Sequence, residues 1–139
     1  MKIHSLLALF VLLFIGCSAV STQSRHAPEL DKVRHVYVEH RLNDNHTLDE
    51  LIVQELKHLG YDAAAGPLTM MPENTEAILS YEDEWEFDFT THMVALTVNA
   101  RAVGKEQPLG SGRYFNHGVS RIPPEKIVHT VITSMFKPI

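Results

Sequence analysis

Residues 77–89 read Ala-Ile-Leu-Ser-Tyr-Glu-Asp-Glu-Trp-Glu-Phe-Asp-Phe, apolar and acidic side chains in alternation. Only an extended strand sorts such a pattern, because successive strand side chains point to opposite faces while a helix would scatter them around its axis. Leu79, Tyr81, Trp85, Phe87 and Phe89 fall on one side, with Asp83 as the exception. Ser80, Glu82, Glu84, Glu86 and Asp88 fall on the other. The stripe through Trp85, Phe87 and Phe89 is expected in a core; left partly open by the helices, it would suit a hydrophobic ligand or a partner strand.

The rest of the chain supplies the cover. Residues 32–39 have the β-branched and aromatic content of a strand. Thr47 followed by Glu50 has the form of a capping box, and Leu48, Leu51, Ile52, Leu56 and Leu59 then recur at helical spacing until Gly60. Tyr61–Ala64 reads as a short strand and 66–75 as a loop. Thr91–Ala102 is a strand with Val94, Leu96, Val98 and Ala100 on one face, and Leu109–Phe115 pairs back on it across a turn at 104–108. Proline at 123 and 124 suits the start of a last helix, whose buried stripe is Ile127, Val128, Val131 and Met135 and which Pro138 ends. The expected fold class is α+β: a mostly antiparallel sheet of four to five strands with two helices packed on one face.

The amino terminus has a different character. Lys2 precedes an apolar run from Leu6 to Ile15. A helix of that length covers about 15 Å, half of a hydrocarbon core of roughly 30 Å, so the run suits a signal peptide and not a span. Leu13-Phe14-Ile15-Gly16-Cys17 resembles a bacterial lipobox: Gly16 and Cys17 match, and Phe14 departs from the usual leucine. The resemblance implies that Cys17, the one cysteine of the chain, is lipidated and becomes the new amino terminus. Ser18 in the next position, by the same resemblance, implies sorting to the outer membrane. The rival is ordinary cleavage after Ala19-Val20-Ser21. The domain boundaries follow: 1–16 signal peptide, 17–29 flexible tether, 30–139 periplasmic α+β domain. A single cysteine allows no internal disulfide, so the core must hold the domain together.

A formal charge of −5 without a basic patch argues against nucleic acid as a partner. The candidate binding residues are the acidic row Glu82, Glu84, Glu86 and Asp88, about 7 Å apart in succession, which repel one another unless screened or matched by cations. The row suits docking of a basic partner, a weak calcium site, or a solvated face that keeps sheets from pairing edge to edge. The histidines beyond the signal segment lack the close i,i+4 spacing of zinc sites, and no metal site is expected. Gly110-Ser111-Gly112-Arg113 is too short for a phosphate loop and reads as a bend or bulge. Neither G-x-S-x-G nor H-E-x-x-H occurs, so no catalytic residue and no cofactor are expected.

With the lipobox and the element order together, the chain resembles small bacterial outer-membrane lipoproteins that hang one α+β domain in the periplasm. The arrangement is similar to the domains of lipoproteins that activate penicillin-binding proteins or assist lipopolysaccharide and pilus-type assemblies. The resemblance implies a membrane-anchored, non-enzymatic binding or scaffold accessory to envelope machinery, held at the membrane by its lipid and engaging an envelope protein. The alternative is a soluble exported periplasmic protein that binds a small ligand or metal.

Overall fold

A computed structural model describes residues 20–139; the signal segment 1–16 and Cys17 lie outside the described residues. Six strands form one mixed sheet in the order β1-β6-β5-β4-β2-β3. The strands are β1 (Val20–His26), β2 (His35–Glu39), β3 (Asp62–Gly66), β4 (Ala77–Asp88), β5 (Thr90–Ala102) and β6 (Pro108–Asn116). Helix α1 (Leu48–His58) carries the chain from β2 to a parallel β3, and α2 (Pro124–Met135) follows β6.

The α+β class and the two helices agree with the sequence expectation, but the sheet has six strands instead of four or five, and two of its pairings are parallel. Both departures have a cause. A helix between two adjacent strands demands a crossover, which makes β2 and β3 parallel. The sixth strand is β1, which occupies most of the segment expected as a flexible tether. Seven residues of β1 pair antiparallel with β6, from Val20 opposite Asn116 to His26 opposite Gly110. Its side chains are exposed except for the partly buried Val20, so no apolar period marks it, and backbone hydrogen bonds to β6 make it a strand.

The core lies between the sheet's inner face and the helices. Leu48, Ile52 and Leu56 of α1 and Ile127, Val131 and Ile132 of α2 are fully buried against Val38, Leu79, Tyr81, Leu96 and Val98. Gly112 lets α2 approach β6: a Cβ there would stand 2.8 Å from the Met135 side chain and 2.9 Å from that of Val131. A bulge falls between Glu84 and Trp85, where Trp85 pairs with Met93 and Glu84 with Ala95. Val94 is thereby left between the two pairs, and Met93 takes the core position that alternation assigned to Val94.

Beyond that bulge β4 and β5 leave the body of the domain as a two-stranded hairpin. Phe87 and Phe89, expected in the core, are 79% and 95% exposed. The alternation gave the side of Phe87, which lies on β4, but Phe89 falls in the turn after Asp88, where strand alternation ends, and no helix extends far enough to cover either ring.

Candidate functional site

Two surfaces collect the side chains with chemical potential. The first is the outer face of the sheet, which α1 and α2 leave open, although Tyr37 and Ile78 on it are buried and the Tyr37 hydroxyl donates to the Pro67 carbonyl of the segment after β3. Alternation places Ser21, Gln23 and Arg25 of β1 there, followed across the sheet by Phe115 and Arg113 of β6, Thr97, Asn99 and Arg101 of β5, and Ser80, Glu82 and Glu84 of β4. The face is therefore divided. Arg25, Arg101 and Arg113 occupy the side of β1, β6 and β5, whereas Glu82, Glu84 and Glu39 occupy the side of β4 and β2. Along one row Arg113 stands opposite Thr97, and Thr97 opposite Glu82, so the two charges are separated by about 10 Å of backbone spacing.

All four expected acidic residues are exposed, and β4 brings them into one row. Asp88 is set apart from the others by an ion pair to Arg121 at 2.8 Å. Glu82, Glu84 and Glu86 enter no ion pair among the described residues, and neither do Arg25 and Arg101; Arg113 lies 5.8 Å over the Phe115 ring. An open hollow of about 430 Å³ runs beside the acids, lined by Glu39, Arg41, Ser80 and residues 81–84. A second, of about 580 Å³, lies on the basic side between Arg25, Arg101, Asn99 and Ser111.

The second surface is a brace between the loop after β2 and the root of the hairpin. Arg41 forms an ion pair with Asp83, and its guanidinium lies 5.7 Å over the Tyr81 ring. The Trp85 indole N–H donates to the other Asp83 oxygen at 2.6 Å, and His46 stacks on Trp85 with ring centres 3.7 Å apart. Asp83 is thus the exception in the alternation for a reason: it faces inward because it holds Arg41 and Trp85 together. A single acid on the oily side of a strand was the available signal for this cluster.

Asp44 is the centre of the same loop. Its carboxylate accepts from the Tyr81 hydroxyl at 2.7 Å and from the backbone N–H groups of His46 (2.8 Å), Leu48 (2.8 Å) and Asp49 (3.3 Å). Burial opposes its charge, but these four hydrogen bonds outweigh burial and hold the carboxyl below the ordinary range. Burial, reinforced by the bond to Asp44, pushes the Tyr81 hydroxyl well above the usual phenol range. Asp44, and not Thr47, therefore caps α1. Thr47 sits at φ +55° and makes no side-chain cap bond. The expected capping box is replaced by a cap from three residues further upstream.

Four histidines pair with carboxylates, His26 with Asp31 at 2.9 Å, His35 with Asp62 at 2.9 Å, His40 with Asp49 at 2.7 Å and His129 with Glu55 at 2.7 Å, whereas His92 is buried in β5 and His117 packs on the Phe115 ring. Among the described residues no group of three or more His, Cys, Asp and Glu is placed to hold a metal ion. Among them, too, no helix is long and apolar enough to cross a membrane.

No protein-family model matches the chain, and no curated protein matches it. Solved structures do. The chain is similar to PelC from Paraburkholderia phytofirmans, described as a dodecamer, with a TM-score of 0.62 and 16% identity over 86% of this chain and 96% of that one. The shared feature is the fold. A leucine-to-methionine variant of the same dodecamer gives a TM-score of 0.61 and 17% identity over 86% and 95%. A PDZ domain protein from Parabacteroides distasonis aligns over 95% of this chain and 39% of that one, at 4% identity and a TM-score of 0.49.

Proposed function

We propose that the chain is an outer-membrane lipoprotein, anchored through Cys17 and facing the periplasm, that serves cell-envelope machinery as a non-enzymatic binding or scaffold accessory. The observation that carries this reading is the acidic row on the outer face of the sheet, where Glu82, Glu84 and Glu86 are exposed and enter no ion pair among the described residues. Carboxylates so placed favour a partner with a basic surface, which they would steer and orient more than they would bind tightly. The course of β1 supports processing at Cys17. Cleavage after Ser21 would remove Val20 and Ser21, which pair with Asn116 and Phe115, whereas a terminus at Cys17 leaves the strand whole.

The test is in-cell photocrosslinking from position 97, on the face beside Glu82, in the parent and in a Glu84→Lys/Glu86→Lys variant. The reading expects a captured envelope protein that the variant loses. Capture unchanged by the reversal would reduce the acidic row to a solvated surface. The soluble alternative is separated by the mass of the mature terminus, since it requires an unlipidated chain beginning at Thr22.

A second reading concerns a further copy of the chain. The outer face is basic on one side and acidic on the other, so one copy's Arg25 and Arg113 complement another's Glu82 and Glu84 in a head-to-tail contact, which closes into a ring when the rotation permits. The likeness to a dodecamer favours examining it. Light scattering should show an assembly that Arg113→Glu or Glu82→Arg each weaken and that the two together restore. A parent that is monomeric at every concentration removes this reading.

A further inference from the structure

We propose that the tip of the β4–β5 hairpin enters the lipid interface beside the anchored amino terminus, as a second contact between this domain and its membrane. The proposal rests on the anchored reading above. Phe87 is 79%, Phe89 95% and Val119 88% exposed, among the most exposed large apolar side chains of the described residues. They gather at one place. The ion pair from Arg121 to Asp88 fastens the loop after β6 to the hairpin, so that Val119 accompanies the two phenylalanines. Phe89 occupies the apex with φ +57°, a left-handed position where glycine or asparagine is the ordinary choice and a bulky aromatic side chain is an outlier. An aromatic residue held there at a conformational cost, and turned wholly into solvent, points to a use for its ring.

The occupant follows from where the chain leads. Val20 lies opposite Asn116, at the end of the sheet from which the hairpin projects. Ser21 shares a row with Phe115, Ala95 and Glu84. From that row the hairpin runs five residues to Phe89, about 17 Å at strand rise, and four residues of chain separate Ser21 from Cys17, a reach of about 13 Å. A lipid on Cys17 would therefore bring the bilayer surface to the level of the tip. Phenylalanine rings at that level suit the boundary between headgroups and acyl chains. Glu86 and Asp88 keep the insertion shallow, because their charges stay among the headgroups.

The experiment places the chain at a membrane whether or not Cys17 is lipidated. The 18–139 chain is tethered through an amino-terminal histidine tag to phosphatidylcholine vesicles bearing a nickel-chelating lipid. An environment-sensitive fluorophore is attached to a cysteine introduced as Phe89→Cys, Val119→Cys, or Glu106→Cys at the opposite end of the sheet. Tethering should shift emission to the blue at positions 89 and 119 and leave it unchanged at 106, and Phe87→Ser should reduce the shift at 119 by half or more. Equal emission at all three positions, or capture of the tip by protein with no response to lipid, overturns the proposal. Mass analysis of the native mature terminus tests the anchor separately, so failure of the anchor and failure of the tip are read from different measurements.

Discussion

Replacing Asp44 with alanine is the most informative perturbation of the loop that joins β2 to α1. Asp44 supplies the cap of the helix, and loss of a capping side chain costs about 1 kcal/mol. It also accepts from the hydroxyl of Tyr81, a residue only 1% exposed. Leaving that buried hydroxyl without its partner adds about 1–3 kcal/mol. Asp44→Ala should therefore destabilise the domain by about 2–4 kcal/mol and lower Tm by roughly 8–16 °C for a domain of this size. Tyr81→Phe, which removes donor and hydroxyl together, should cost about 1 kcal/mol, and in the double variant the two losses should fall short of additive by a similar amount. Thr47→Ala should cost little, because Thr47 makes no side-chain cap bond. Chemical denaturation of the four variants reads these differences. Acidity supplies an independent check: the Asp44 carboxyl is held below its ordinary value of 3.8, so its contribution is complete above about pH 4 and is lost as pH falls through the lowered folded-state value. The gap between the parent and Asp44→Asn should narrow over that fall. An Asp44→Ala cost below about 0.5 kcal/mol, or additive losses with Tyr81→Phe, would refute the reasoning.

Three other outcomes are expected. Gly112→Ala should destabilise by about 1–3 kcal/mol in denaturant melts, since its Cβ would meet Met135 at 2.8 Å and push α2 off β6. Phe89→Gly should stabilise the isolated domain by about 1 kcal/mol by relieving the φ of +57°, while abolishing any blue shift of a fluorophore at position 119 on tethered vesicles. Above pH 10 the parent should lose stability as pH rises towards the raised folded-state value of Tyr81, whose ionisation burial and the bond to Asp44 oppose; Tyr81→Phe should lose less over the same range in far-ultraviolet circular dichroism.

The helices and the central strands were legible because each buries one face. Leu48, Ile52 and Leu56, and Ile127, Val128 and Val131, recur at the spacing that burial requires, and all are buried. Strand β1 was not legible, since an edge strand with exposed side chains leaves its evidence in backbone hydrogen bonds to β6 and not in its own composition. The parallel pairing of β2 with β4 depends on which partner the chain selects after β3, and nothing local records that choice. At the candidate site the acidic row was readable from alternation, but its isolation from Arg113 by the intervening Thr97 was not. Phe87 and Phe89 show the limit of periodicity most directly. It assigned them a side, whereas exposure depended on how far the helices reach along the strand.

The central claim is that acyl chains on Cys17 hold this domain at its membrane, and intact-mass analysis of the mature protein from a native envelope tests it most directly. The account predicts a chain beginning at Cys17 and heavier than its residues by a diacylglyceryl group and an amide-linked acyl chain, with both lost in Cys17→Ala. A mature chain beginning at Thr22 and carrying no lipid would contradict it.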